Sequence, residues 1–488
     1  MSISSADRWQ RLLGGMTEGT LGALAEAATL RARSLGLAVV RQAGDVDIPL
    51  TLTPEIIDPA VVQRRARDAS AILTSVVKAA RAVLSQGVEG RWARELFGHF
   101  GPLEAACLKN WEAAEDVTIA RVDWFIDGAG QHHALELNAT IPAMEAYSDA
   151  AARAWIETIG KLAGLDPTTI EGLIRENGSN AEELRRSILA HGGYGAENKP
   201  SIAIIHREAD SQLRELQALA RHFTAAGHPV QLAVAESVAL DAQGRAVIDG
   251  RIPEILYRHI FARRMPEGSA LERIALGQTR SRLQNPVNGQ FEVKGLFAEL
   301  ARIVTENNGA GLSLTAEEKD TIQRVVPWTR LLSTDPSHGP EGERVPDLAA
   351  FIAGTPERFV LKRSWDYGGK SVLLGRDVVA SEGAAGWQSR VQAALADGPG
   401  TWVVQALVVS PLRRHLVVHE GRQALWEDVF VDASTYSATG SQSVPGGGVA
   451  RFARTGVVNI VGGGGVAPLI VTSVAEKLAA RLETASLR

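Results

Sequence analysis

In residues 359–375, FVLKRSWDYGGKSVLLG, a lysine and an aspartate stand four positions apart just ahead of paired glycines. A strand ending in Lys362, a tight loop holding Gly368 and Gly369, and a second strand from about Ser371 would suit phosphate. Glycines let main-chain N–H groups approach phosphate oxygens closely. Lys362 could offset phosphate charge, and Asp366 could offer oxygen to a hard cation. The spacing is not the GxxxxGK[ST] pattern, and read alone it also describes an ordinary hairpin with a surface lysine and aspartate.

A second group is Arg121-Val-Asp123 followed by Glu136-Leu-Asn138. Residues two apart in a strand share a face, so Arg121 pairs with Asp123 on one strand and Glu136 with Asn138 on the next. A carboxylate beside an amide oxygen makes a half-shell for Mg²⁺; the polar face of an amphipathic hairpin has the same pattern. Tyr257-Arg258 falls at the end of a strand, where open α/β sheets place ligand groups, and arginine can grip a carboxylate through two bonds. Arg451 and Arg454 lie between glycine-rich stretches at 446–448 and 462–465, which suggests a loop closing over a ligand. His132 and His133 are adjacent and lack HExxH or paired-cysteine company, so they do not read as metal ligands. No GxSxG serine is present.

These residues need elements to carry them. Helical spacing from Asp58 and Pro59 through Leu84, ending at Gly87, predicts one long helix. TIARVDWFID and HHALELN, separated by Asp127-Gly-Ala-Gly, predict a strand hairpin. A helical tract is expected over residues 148–195. SIAII, a helix faced by Leu213, Leu216, Leu219 and Phe223, a stop at Gly227, and PVQLAVA read as a βαβ unit. AVIDGRIPEILYR reads as a further hairpin, and helices resume over 270–305. From about Thr329 the chain is mixed, with strands at FVLKR, SVLLG, TWVVQAL and HLVVHEG.

The 488 residues allow two or three units with substantial cores. A formal net charge of −5 without a basic stripe argues against a nucleic-acid partner. The single cysteine, Cys107, excludes an internal disulfide and a cysteine-rich zinc site. MSISSADRWQ does not read as a signal peptide, and no apolar run of about 18 residues predicts a membrane span, so a cytoplasmic location is expected.

In order and spacing these segments resemble the circularly permuted ATP-grasp ligases, most closely the eukaryotic-type glutathione synthetases and glutathionylspermidine-synthase-like proteins, over residues 121–468. The resemblance implies an α/β (α+β) ATP-grasp fold with an inserted βαβ substrate-binding domain and a glycine-rich lid. The implied units are 1–200, 201–290 and 291–488, with the lid at about 330–410. It implies ATP and Mg²⁺, with Glu136, Asn138 and Asp366 at the metal. Lys294 (in LQNPVNGQFEVKGLFAEL), Lys362, Gly368 and Gly369 would meet the phosphates, and Val404, Gln405, Ala406 and Leu407 would lie against adenine. Arg121, Arg258 and Arg451 would hold substrate carboxylates and acyl-phosphate oxygens, with Asp123, Gly464 and Gly465 also at the substrate. The implied reaction joins a carboxylate to an amine of the amino acid, peptide or polyamine class, releasing ADP and phosphate. A phosphotransferase or a non-catalytic nucleotide-binding protein on the same frame is the alternative, and a homodimer is the family expectation. Glutathione synthetases carry serines after Glu-x-Asn where this chain has Ala139-Thr-Ile-Pro142-Ala-Met144, so glutathione itself is not the expected product. Gln405 replaces an acidic residue common in the family.

Overall fold

The Asp58 side chain accepts a hydrogen bond from the Ala60 N–H, and Pro59 occupies the first turn, so helix α1 (Pro59–Leu84) starts where its sequence signals place it. Ala69, Leu73, Val76, Ala80 and Leu84 are its buried stripe. Next come β1 (Ala120–Ile126) and β2 (His132–Asn138), an antiparallel hairpin. Asp127 Oδ1 accepts the N–H groups of Ala129 and Gln131 at 2.9 Å each, and Gly130 takes φ +78°, which closes the connection. The computed structural model describes residues 4–114, 117–306, 312–366, 371–440, 447–460 and 463–486.

The helical tract expected over 148–195 consists of three helices: α2 (Glu145–Leu162), α3 (Pro167–Asn177) and α4 (Asn180–His191). Gly164 and Gly178 take φ of +67° and +87°, and Asp166 and Ser179 each cap the helix that follows. The βαβ unit is β3 (Ile202–His206), α5 (Leu213–Ala225) and β4 (Val230–Val234). Segment 246–258 is not a hairpin. Ala246–Val247 pairs with Ala239–Leu240, whereas β5 (Ile255–His259) runs parallel to β3 and is buried throughout. A run with both faces covered belongs inside a parallel sheet, and with β6 (Leu283–Gln284) the order is β6-β5-β3-β4.

Helix α6 (Lys294–Glu306) leads to a small antiparallel sheet. Its strands are β7 (Thr329–Leu331), β8 (Phe359–Arg363), β9 (Val372–Leu374) and β10 (Trp402–Ala406), in the order β7-β10-β8-β9. Helix α7 (Gly375–Ala396), broken at Gly383, covers it around Trp387 and Val391. After β11 (Arg413–His419) the chain forms a 15-residue strand, β12 (Gln423–Ser437), then β13 (Gly448–Ala453) and β14 (Gly465–Ala467). These join the first hairpin in a main antiparallel sheet, β14-β13-β12-β1-β2, with β11 on β12. The main sheet therefore draws strands from two distant parts of the chain. Val122, Trp124, Ala134 and Leu137 on one of its faces pack against α1 and α6. No helix among the described residues is long and apolar enough to cross a membrane.

Candidate functional site

The opposite, polar face of β1 and β2 is the floor of a cavity of about 190 Å³, roofed by β8, β9 and β10 of the small sheet. The hairpin register sets Arg121 opposite Asn138 and Asp123 opposite Glu136, so all four line the cavity. A bulge then places Trp124 opposite Ala134 and leaves Leu135 unmatched. That extra residue lets both strands send apolar side chains to the core beyond it. It also turns the Leu135 carbonyl toward Lys362, whose Nζ donates to it at 3.4 Å.

Lys294, the first residue of α6, reaches the same space. Its Nζ lies 3.3 Å from the Glu136 carboxylate and donates to the Asp366 carbonyl at 3.0 Å. Burial works to raise the Glu136 carboxyl, but Lys294 and Lys362 prevail and hold it below its ordinary value, ionised at neutral pH. Lys362 donates to Gln405 Oε1 at 2.7 Å, and burial lowers its ammonium to about 8, with Glu136 acting in the other direction. Gln405 donates in turn to Thr329 Oγ1 at 3.0 Å, so its side chain serves the lysine and the sheet. The Asp366 carboxylate accepts from the Ser371 hydroxyl.

The other end of the floor is a chain of alternating charges. Arg121 donates to Asp123 through Nε (2.6 Å) and Nη2 (3.0 Å), and its Nη1 is held by the carbonyls of Pro142 and Ala143. Asp123 also accepts from Asn138 Nδ2, Ser434 Oγ and Arg451 Nη2. Arg451 is clamped by Asp432, with Nε 3.1 Å from each carboxylate oxygen. It lies within β13, not on a mobile closing loop as the glycines suggested, because its strand is paired on both sides.

Several expected positions fall elsewhere. Arg258 is 0% exposed and donates to the carbonyls of Asn285, Ile260, Thr140 and Pro286; it ties the βαβ sheet to the turn after Asn138 and does not line the cavity. Val404 points into the small sheet's core. The N–H groups of Ala406 and Leu407 donate to Trp328 O and Arg358 O at 2.8 Å each, so neither is presented to a ligand, although both residues line the cavity. Gly464 and Gly465 are packing glycines: a Cβ would stand 2.7 Å from Phe452 O at the first and 2.3 Å from Pro49 O at the second. Arg454 pairs with Glu427 and is half exposed. Gly368 and Gly369, like Gly446 and Gly462, lie outside the described residues.

Asp432 and Asn459 also line the cavity and were not anticipated. A signal existed for Asp432, a lone acid in the otherwise apolar run VFVDA. Asn459 carries no such mark. Among the described residues no three His, Cys, Asp or Glu side chains gather as a metal site. The two carboxylates and one amide of Glu136, Asp366 and Asn138 do share the cavity, and with the Asn138 Nδ2 directed to Asp123 its Oδ1 is left as an oxygen donor. Such an all-oxygen set matches the preference of Mg²⁺.

No family model matches the chain, and no curated protein matches it. Among solved structures, it is similar to a glutathione synthetase-like effector from Globodera pallida in its apo form. The TM-score is 0.59 over 94% of this chain and 98% of that chain, at 10% sequence identity. At that identity the likeness is one of fold: the chain has a mixed α/β architecture like that of a glutathione synthetase-like protein.

Proposed function

We propose that the cleft between the two sheets binds ATP with Mg²⁺ and that the chain is an ATP-grasp carboxylate–amine ligase. The observation that carries this reading is the meeting of Glu136, Asn138, Lys294, Lys362 and Asp366, from three distant segments, around one cavity. Lys294 and Lys362 would offset phosphate charge. Glu136, Asn138 and Asp366 would hold Mg²⁺, which neutralises phosphate oxygens when bound. In the reaction a substrate carboxylate oxygen attacks the γ-phosphorus and ADP leaves. An amine then attacks the acyl carbon, phosphate departs, and the nitrogen loses a proton to leave an amide. Little covalent participation by the protein is needed where cations and positioning stabilise the transferring group. The cavity's 190 Å³ is below the roughly 300–1,000 Å³ of small-molecule sites, so nucleotide entry would require the small sheet to swing away from the floor.

Incubation of the chain with Mg·ATP and panels of carboxylates and amines tests this. ADP, phosphate and an amide are the expected products. AMP and pyrophosphate would sink the acyl-phosphate route, and ADP with a phosphorylated product but no amide would make the chain a phosphotransferase. Asp366→Asn is expected to keep the fold and lose most Mg²⁺-dependent nucleotide binding; calorimetry at several Mg²⁺ concentrations reads this, and an unchanged isotherm would remove Asp366 from the metal set.

A further inference from the structure

Helix α6 begins with the lysine that reaches the cleft, yet the residue before it, Val293, has no side-chain acceptor to cap the helix. The cap comes from the turn that follows β8. The Lys294 N–H donates to the Ser364 carbonyl at 3.0 Å, and the Gly295 N–H donates to Ser364 Oγ, also at 3.0 Å. Ser364 is 0% exposed and anchored by its own N–H to Thr401 O at 2.8 Å. A Cβ on Gly295 would stand 2.9 Å from the Ser364 oxygen, so glycine is what permits the approach.

The placement of Ser364 gives this cap its consequence. It lies two residues after Lys362 and two before Asp366, while Lys294 Nζ returns to the Asp366 carbonyl. On the far side of the same helix start, Glu292 accepts the N–H groups of Ala139 (2.9 Å) and Thr140 (2.6 Å), the two residues that follow Asn138. Three segments that carry cavity groups thus converge on one helix terminus, and a single hydroxyl joins two of them. Hydrogen-bonded caps of this kind determine where a helix starts, and a shift of the start would move Lys294 relative to both Glu136 and Asp366.

The geometry points to Ser364 as a positioning residue: it caps in trans the helix bearing Lys294 and so holds Lys294, Glu136 and Asp366 in register for a metal–nucleotide complex. This rests on the nucleotide reading above. The test is binding of a non-hydrolysable ATP analogue, AMP-PNP, by calorimetry with and without Mg²⁺, for the wild-type chain, Ser364→Ala and Ser364→Thr. Ser364→Ala is expected to weaken Mg²⁺-dependent binding about tenfold, equal to about 1.4 kcal/mol. Metal-free binding should weaken less, because there only the Lys294–phosphate contact is disturbed, and Ser364→Thr, which keeps the hydroxyl, should restore wild-type affinity. Equal binding by Ser364→Ala and wild type, or a loss of the same size with and without Mg²⁺, overturns the proposal. Amide hydrogen exchange at Gly295 in the wild-type chain gives a reading that needs neither variant nor nucleotide. Protection is expected, and exchange as fast as at an uncapped helix start overturns the cap. If the wild type binds no nucleotide while Gly295 is protected, the functional reading fails and the cap stands.

Discussion

Asp123→Ala is expected to destabilise the protein by about 3–5 kcal/mol, the cost of leaving a buried ion-pair partner behind. Asp123 receives hydrogen bonds from Arg121, Asn138, Ser434 and Arg451. Burial alone would raise its carboxyl, but Arg121 and Arg451 hold it well below the usual carboxylate range. Alanine would leave the buried Arg121 with only main-chain carbonyls, and Arg451 with Asp432 alone. A denaturant titration followed by far-UV circular dichroism measures the loss. Adding Arg121→Met to the same chain should recover part of it, because the unpaired charge goes too. A loss under about 1 kcal/mol would mean that water reaches the charges and that the floor is not the dry network described, since solvated ion pairs carry little energy.

Glu145→Gln is expected to stabilise the protein at pH 8 and to do little at pH 5. Glu145 opens α2 at 2% exposure and interacts with Glu215 of α5, which is 0% exposed. Burial raises the Glu145 carboxyl from 4.5 to about 7, partly opposed by Arg121. Glu215 is held well above its ordinary value by burial and by Glu145, with main-chain N–H groups at Met144, Ala146 and Tyr147 opposing the rise. Between about 4.5 and 7 the native state holds the Glu145 proton while the unfolded chain has released it. Stability therefore falls as pH rises through this window. A shift of that size corresponds to about 3 kcal/mol at pH 8, which glutamine would return because it stays neutral. Thermal unfolding of both proteins at the two pH values tests this, and an equal gain at pH 5 and pH 8 would contradict it.

Much of the local structure was legible. The α1 start was readable because Asp58 and Pro59 act within one turn of the chain, and the β1–β2 hairpin because Asp127 and its glycines close it locally. The alternation that placed Arg121 with Asp123 and Glu136 with Asn138 is a property of extended backbone and needed no tertiary knowledge. Where two readings had equal local support, the sequence failed. Segment 246–258 contains a good turn, but its second half finds a better partner in β3, and nothing nearby announces that pairing. The glycines around Arg451 suggested mobility; burial against Pro49, Phe452 and Asn459 explains Gly464 and Gly465 as room for close packing.

Arg258 shows the same limit for chemistry. Its type and its place at a strand end suit a carboxylate grip, but four main-chain carbonyls take its donors once the turn after Asn138 folds over it. By itself, then, the sequence determined which residue types could serve phosphate and metal and which neighbours share a face, because those follow from backbone periodicity and side-chain chemistry. Only the tertiary structure decided which of them meet. Glu136 and Lys294, more than a hundred residues apart in the chain, come within 3.3 Å, and Arg121 and Arg451 are neutralised by Asp123 and Asp432. Those outcomes depend on how distant strands pair and on which buried charges must find partners, and no local pattern encodes either.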